Sequence, residues 1–365
     1  MKKHVDSIAN HVSPALPNYT IGVNAYDNLG ALIYLHGKKA LIIGGLNALN
    51  AGLKYVEEAL QGSGIKLLVE IYTGEPTRFQ AKKLADEARK SGADIILGIG
   101  GGRAIDAAKA AGYYAYLPVF TLPTIPATCA AITALSVMYD DEREPFLFLR
   151  QSPEHVFIHT GILAASPPEY LRAGIGDSIA KHVESAYKAG DYTGLDYEDL
   201  LGLYIATMGY DTLLSIGEKA IEAAKESKDN SEYRLACECC IVNTGIVSIL
   251  LKEALNGALA HSLYYALKHE NGISNYLHGE IVAWGSIVQL VMEGSSGKAI
   301  ELMDFLNNLN IPISLANMGS SIEAIKPKLK EVLNQPDMLG TPVSEYALQH
   351  AIEKTEWLSM RKAGK

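Results

Sequence analysis

Leu97-Gly98-Ile99-Gly100-Gly101-Gly102-Arg103-Ala104-Ile105-Asp106 closes the apolar run Asp94-Ile95-Ile96-Leu97 and opens a helical pattern. Glycines at such a junction let the backbone approach a ligand closely, and the helix N-terminus that follows offers unpaired N–H donors and a partial positive charge. The segment reads as a cradle for the pyrophosphate of a dinucleotide; the competing reading is a tight turn that uses glycine for conformation alone. Its spacing is not the common G-x-G-x-x-G after a first strand, because three successive glycines follow the third apolar run.

Working outward, the runs Ala40-Leu41-Ile42-Ile43, Lys66-Leu67-Leu68-Val69-Glu70-Ile71 and Leu117-Pro118-Val119-Phe120 alternate with amphipathic stretches such as 48–60 and 77–90. That alternation predicts βαβ units and a parallel, Rossmann-like sheet. It stops near residue 160. From Pro167-Pro168 onward the periodicity predicts helices over 176–189, 197–225, 231–267, 280–294, 297–309, 321–333 and 343–360. We expect an α/β dinucleotide-binding domain over residues 1–165 and an all-α metal- and substrate-binding domain over 166–365, without internal repeats.

With 365 residues, 48% of them hydrophobic and 20% charged, the chain can bury a substantial core. A net charge of −9 carries no basic footprint, which argues against nucleic acid and against an anionic membrane surface as partners. Four cysteines, three crowded in Cys237-Glu238-Cys239-Cys240, do not make a spaced disulfide framework and are expected as buried free thiols. Together with an N-terminus lacking an apolar signal core, they predict a reducing cytoplasm. No uninterrupted apolar stretch is expected to reach the roughly 20 residues of a membrane helix.

Three residues stand out in the second half: Asp177 in Gly174-Ile175-Gly176-Asp177, His261 in Leu259-Ala260-His261-Ser262, and His278 in Leu277-His278-Gly279-Glu280. Two imidazoles and a carboxylate suit zinc or ferrous iron, and three protein ligands leave a coordination position open for substrate. Asp177 is expected in the first turn of a helix, His261 inside the apolar helix 251–267, and His278 at the opening of the next. A lone histidine is ordinarily a hydrogen-bonded core residue, and His155, His159, His182, His269 and the N-terminal histidines are read that way or as surface groups.

Gly100-Gly101-Gly102-Arg103-Ala104-Ile105-Asp106-Ala107-Ala108-Lys109 resembles the GGGxxxDxAK motif of the glycerol dehydrogenase branch of the iron-containing alcohol dehydrogenase superfamily. Pro123 to Cys129 with Thr133 to Tyr139 resembles the PTxxSTD…SALSVxY loop, Ala173 to Asp177 the AGIxDA segment, and His278 to Gly285 the HGExVAxG segment. The motifs recur in order over nearly the whole chain. The resemblance implies a dehydroquinate synthase-like fold, a nicotinamide cofactor and one divalent metal per chain. The implied metal ligands are Asp177, His261 and His278. It places Gly44, Gly45, Gly101, Gly102 and Arg103 at the cofactor, and Thr124, Thr133, Leu135 and Tyr139 along its nicotinamide and ribose. Asp106 is expected to fix the turn, or to act as a first-turn acid favoured by the helix dipole. Association into dimers or larger rings is also implied.

Departures from the pattern are informative. The iron-dependent members carry a fourth ligand, a histidine, four residues after the metal aspartate, where this chain has Lys181, so zinc is expected over iron. Glycerol dehydrogenases carry an aspartate where this chain has Cys129, and a thiol cannot replace a carboxylate in holding a hydroxyl. Cys129 and Lys181 are thus the expected pocket residues, Lys181 either adding charge near the substrate or merely snorkelling from its helix. Ile42-Ile43-Gly44-Gly45-Leu46-Asn47 lacks the acid that receives the adenosine ribose in NAD-preferring relatives, so NAD and NADP both stay open. The expected function is metal-dependent NAD(P) oxidation or reduction of a small polyol or related alcohol. The alternatives are glycerol-1-phosphate dehydrogenase and, more remotely, a dehydroquinate synthase-like lyase.

Overall fold

Leucine-rich and β-branched runs separated by helices build a parallel sheet because only a crossover helix can bring the chain back in the same direction. The structure, a computed structural model, describes residues 16–140, 145–335, 339 and 343–363. The first half runs β1 (Tyr19–Gly22), α1 (Leu29–Tyr34), β2 (Lys39–Gly44), α2 (Leu46–Leu60), β3 (Lys66–Ile71), α3 (Arg78–Ser91), β4 (Ile95–Gly100), α4 (Gly102–Ala115) and β5 (Val119–Pro123). A small antiparallel hairpin, β6 (Leu135–Val137) with β7 (Phe146–Phe148), precedes β8 (His155–His159). The six-stranded sheet has the order β1-β8-β5-β4-β2-β3 and is parallel throughout.

This order places the site. From β2 the chain moves outward to β3, then returns past β2 to lay β4 on its other side. Ile42, Leu97 and Ile99 pack with Leu49 and Val56 of α2, whereas Leu41, Ile43 and Ile96 pack with α3 and α4. The loops leaving β2 and β4 therefore part toward opposite faces, opening a crevice at their carboxyl ends. Both strand ends are glycine for local reasons. Gly100 has φ +142°, and a Cβ on Gly44 would lie 2.4 Å from Ile99 Cγ2.

The second half is helical: α5 (Thr160–Ala164), α6 (Glu169–Ala189), α7 (Tyr197–Lys225), α8 (Ser231–Glu238), α9 (Thr244–Leu250), α10 (Leu259–Leu267), α11 (His278–Met292) and α12 (Ser296–Asn308). Among the described residues, short helices at Ile322–Ile325 and Leu329–Leu333 and a C-terminal helix, Glu345–Ala363, follow. α7 matches the expected 197–225, but the single helix expected over 231–267 is broken. A π-turn at Cys239–Asn243 is followed by extended backbone at Leu251, and Gly257 takes φ +86°, so α10 starts afresh at Leu259. Strands β1, β6, β7 and β8 were not predicted; each is only three to five residues long.

All four cysteines are free, and those at 237, 239 and 240 are buried. The expectation about apolar length needs correction. Tyr197–Lys225 and Ser231–Leu250 are long and apolar enough to cross a bilayer by composition, and 33% and 67% of their respective apolar windows are buried inside the fold.

Candidate metal centre and nucleotide crevice

Asp177 is the ninth residue of α6, not a first-turn residue. The glycines before it do not make a turn; they let helices touch. A Cβ on Gly176 would lie 2.2 Å from the Gly279 carbonyl oxygen, and one on Gly279 would lie 1.7 Å from that of Ala173. This backbone contact between α6 and α11 seats Asp177 beside His278, the first residue of α11. His261 likewise belongs to the first turn of α10 and not to a helix interior.

The three side chains converge. Their ligand atoms lie within 4.8 Å of one another. His278 Nε2 is 3.2 Å and His261 Nε2 3.7 Å from Asp177 Oδ1. Ligands around a tetrahedral zinc are spaced by about 3.4 Å, close to both of these separations, so the chemistry and spacing of the donor set suit such an ion. Burial would raise the Asp177 carboxyl, but hydrogen bonds and charge from the two imidazoles outweigh it and hold the group well below the usual range.

Glu184 completes the centre and was missed in the sequence. Fully buried, it receives Ala258 N–H at 2.7 Å and His261 N–H at 2.9 Å through Oε1, and pairs with His261 Nδ1 at 2.5 Å through Oε2. It caps the N-terminus of α10 and fixes the imidazole with Nε2 free to face Asp177. Burial lowers the His261 pKa, but the two carboxylates prevail and raise it to about 9. The signal was present: Asp177, Lys181 and Glu184 share one face of α6 at i, i+4 and i+7. Glu184→Gln is expected to weaken zinc binding by roughly 10–100-fold, read by competition with a chromophoric chelator; unchanged affinity would leave Glu184 a capping residue only.

Gly44 ends β2, and Gly101 and Gly102 follow the end of β4. Gly45 and Gly101 are the N-caps of α2 and α4, and neither helix has a side-chain cap, so their first N–H groups point into the crevice without a protein side-chain acceptor. That arrangement fits a pyrophosphate. Gly102 lies under Thr128, Thr124 N–H bonds the Gly100 carbonyl at 3.1 Å, and Arg103 is exposed beside Tyr72, Tyr139 and Tyr264. Asp106, expected to fix the turn or to act as a first-turn acid, caps no helix and accepts from the Val137 backbone N–H in β6. It is the fifth residue of α4, buried, and paired with the buried Lys109 at 3.1 Å.

Lys109 in turn donates to the carbonyls of Ala130 at 2.6 Å, Thr133 at 3.3 Å and Leu135, and to the Thr133 hydroxyl at 3.2 Å. Lys109 thus engages Thr133 and holds Leu135 through its backbone carbonyl at the start of β6. Tyr139 caps the far side of the hairpin, its N–H on the Pro76 carbonyl at 2.8 Å. Lys268, the residue after α10, lies 5.6 Å from the Tyr139 ring centroid and 6.0 Å from that of Tyr264, while Tyr264 meets His278 edge-on at 4.2 Å. Sheet and helices thus share one cleft.

The remaining described histidines stand elsewhere. His159 caps α5, His155 packs on Phe157, and His182 stacks on Tyr210; His269 is not in the cluster. His4 and His11 lie outside the described residues.

Residues 17–159 match the iron-containing alcohol dehydrogenase family profile. Over 321 residues the chain is 31% identical to a glycerol dehydrogenase of Pseudomonas putida, covering 86% of each protein. The chain belongs to the iron-containing alcohol dehydrogenase family. Another member, a glycolaldehyde reductase of Halobacterium salinarum, is 30% identical over 307 residues, covering 82% of this chain and 83% of that one. The fold of this family member superposes on the crystal structure of glycerol dehydrogenase from Schizosaccharomyces pombe with a TM-score of 0.84, at 23% identity and over 96% of this chain and 92% of that one.

Proposed function

We propose that the chain is a metal-dependent, nicotinamide-linked dehydrogenase of small polyols or related alcohols, working as a cytoplasmic homo-oligomer. Residues 1–165 hold the nucleotide and 166–365 the metal. The observation that carries this reading is the convergence of Asp177, His261 and His278 on one point, in a fold that also leaves the N-termini of α2 and α4 uncapped. Zinc is the ion the three-ligand set favours, since Lys181 stands where a fourth ligand would be.

A bound divalent ion supplies Lewis-acid polarisation of a substrate hydroxyl, and a nicotinamide supplies the hydride acceptor. The chain's own part is positional. Glu184 holds His261 in one orientation, and the α6–α11 contact holds Asp177 against His278. Lys109 fastens the 130–135 loop, which covers Gly102, to α4.

The phosphorylated-substrate reading is less well served, because Lys109 is engaged by Asp106 and leaves Lys181, one helical turn from Asp177, as the cation on that face of α6. The test is the initial rate of nicotinamide reduction by zinc-loaded protein, with glycerol, 1,2-propanediol and glycerol 1-phosphate, each with NAD and NADP. Zinc-dependent turnover that chelation abolishes is the expected outcome. Turnover that ignores chelation would end the metal reading, and turnover with the phosphate ester alone would replace the polyol reading.

A further inference from the structure

Lys181 sits one helical turn after Asp177 on the same face of α6, roughly 6 Å along the axis. It is half-buried, and its ammonium donates to Asn256 Oδ1 at 3.1 Å. Asn256 is fixed in that sense, since its Nδ2 donates to the Leu251 carbonyl at 2.8 Å and the Lys252 carbonyl at 3.3 Å. Among the described residues no carboxylate forms an ion pair with Lys181. Nearby acids are committed: Glu184 and Asp177 to the histidines, Asp196 and Asp199 to Lys252. The Cys129 thiol lies within electrostatic reach of both Asp177 and Lys181, bonds Ser248, and adds no charge, burial pushing it up to about 11.

A part-desolvated ammonium bonded to a neutral amide retains donors for an anion. A divalent ion would cancel the charge of the Asp177 and Glu184 carboxylates, so the pocket keeps one positive charge that a polyol leaves unmatched. We propose that Lys181 selects a small hydroxy acid, whose carboxylate seats on the ammonium while its hydroxyl faces the Asp177–His261–His278 trio. One turn of helix spans a hydroxyl and a carboxylate on adjacent or next-adjacent carbons. A single cation suits a monoanionic carboxylate better than a phosphate dianion, which calls for several donors. Oxidation breaks the carbinol C–H bond, its hydride passing to the nicotinamide, and the O–H bond, its proton passing to solvent; a C=O bond forms and the product is an oxo acid.

The inference rests on the dehydrogenase reading, and matched substrates separate the two. Zinc-loaded protein is assayed with lactate against 1,2-propanediol, glycerate against glycerol, and glycerol 3-phosphate, with each nicotinamide. The acids are expected to exceed the diols in kcat/KM by at least about tenfold. Lys181→Met should cost the acids about 100-fold, chiefly in KM, and the diols less than about threefold, the loss expected for a hydrogen bond to a charged group. Lys181→Arg should retain most of the preference. Cys129→Asp, which places a carboxylate beside Lys181, should abolish it.

Diols preferred by the unmodified protein, an acid preference that survives Lys181→Met, or a preference for the phosphate ester would each overturn the proposal, leaving the dehydrogenase reading intact. Silence with every substrate would count against that parent reading, and lactate binding to the zinc-loaded protein would then decide. A rise in Tm with lactate that Lys181→Met removes upholds the anion seat; no rise overturns it.

Discussion

Asp177→Asn is expected to strip the protein of its metal and lower turnover by roughly 10³-fold or more, about 4 kcal/mol of barrier, while leaving nucleotide affinity within about twofold. The reasoning is geometric. Asp177 Oδ1 lies within 3.7 Å of both the His261 and His278 Nε2 atoms, so it is the hinge of the trio. An amide has nearly the same shape, and its side chain still occupies the space where α6 crosses α11. What it lacks is the charge that two imidazoles and a divalent ion require. The uncapped ends of α2 and α4 belong to the sheet half and are untouched. Zinc content by atomic absorption, nicotinamide affinity by fluorescence and initial rates measure the three consequences separately. Normal rates with zinc lost would sink the metal assignment; lost nucleotide affinity would mean that the two sites are not independent.

Lys109→Met is expected to destabilise the fold by about 3–5 kcal/mol, the cost of leaving a buried acid without its partner. Lys109 is 1% exposed and Asp106 5% exposed, at 3.1 Å from each other. Burial already pushes the Asp106 carboxyl above its usual range in spite of Lys109, so removing the ammonium leaves either an uncompensated charge or a protonated acid. The change also releases the carbonyls of Ala130, Thr133 and Leu135. Nicotinamide affinity should fall with stability, because this loop covers Gly102. Removing both charges in Lys109→Met/Asp106→Leu should recover much of the stability but not the affinity. Urea denaturation of the four proteins in the cycle reads the first, and nucleotide titration the second. Additive losses would show that the pair is not coupled.

Part of this was legible in the chain and part was not. β2 and β4 announced themselves because strands buried on both faces are continuous apolar runs, and β4 is buried along its entire length. β1 and β8, at four and five residues, are too short to carry a period. The break between Leu251 and Gly257 was hidden inside a largely apolar run that extends through α8, α9 and α10. The helix stops there because Leu251 adopts extended backbone after α9, and Gly257 takes φ +86° before α10 starts. Glu184 looked like an ordinary polar residue of an amphipathic helix. Its role depends on a helix end that begins 74 residues later, at Ala258.

Sequence alone determined the α/β half, the glycine-rich strand ends, and the identity of three side chains that converge, because each rests on local chemistry: periodicity, the absence of a Cβ, or a donor atom of the right kind. Tertiary structure alone decided where those ligands stand and what holds them. Asp177 lies mid-helix because glycines 176 and 279 let two backbones touch; His261 lies in a first turn because a buried carboxylate caps it. Asp106 turned inward because Lys109 is buried beside it. Each of these depends on which remote groups meet once water is excluded, and on the requirement that a buried charge find a partner, a condition that no window of neighbouring residues contains.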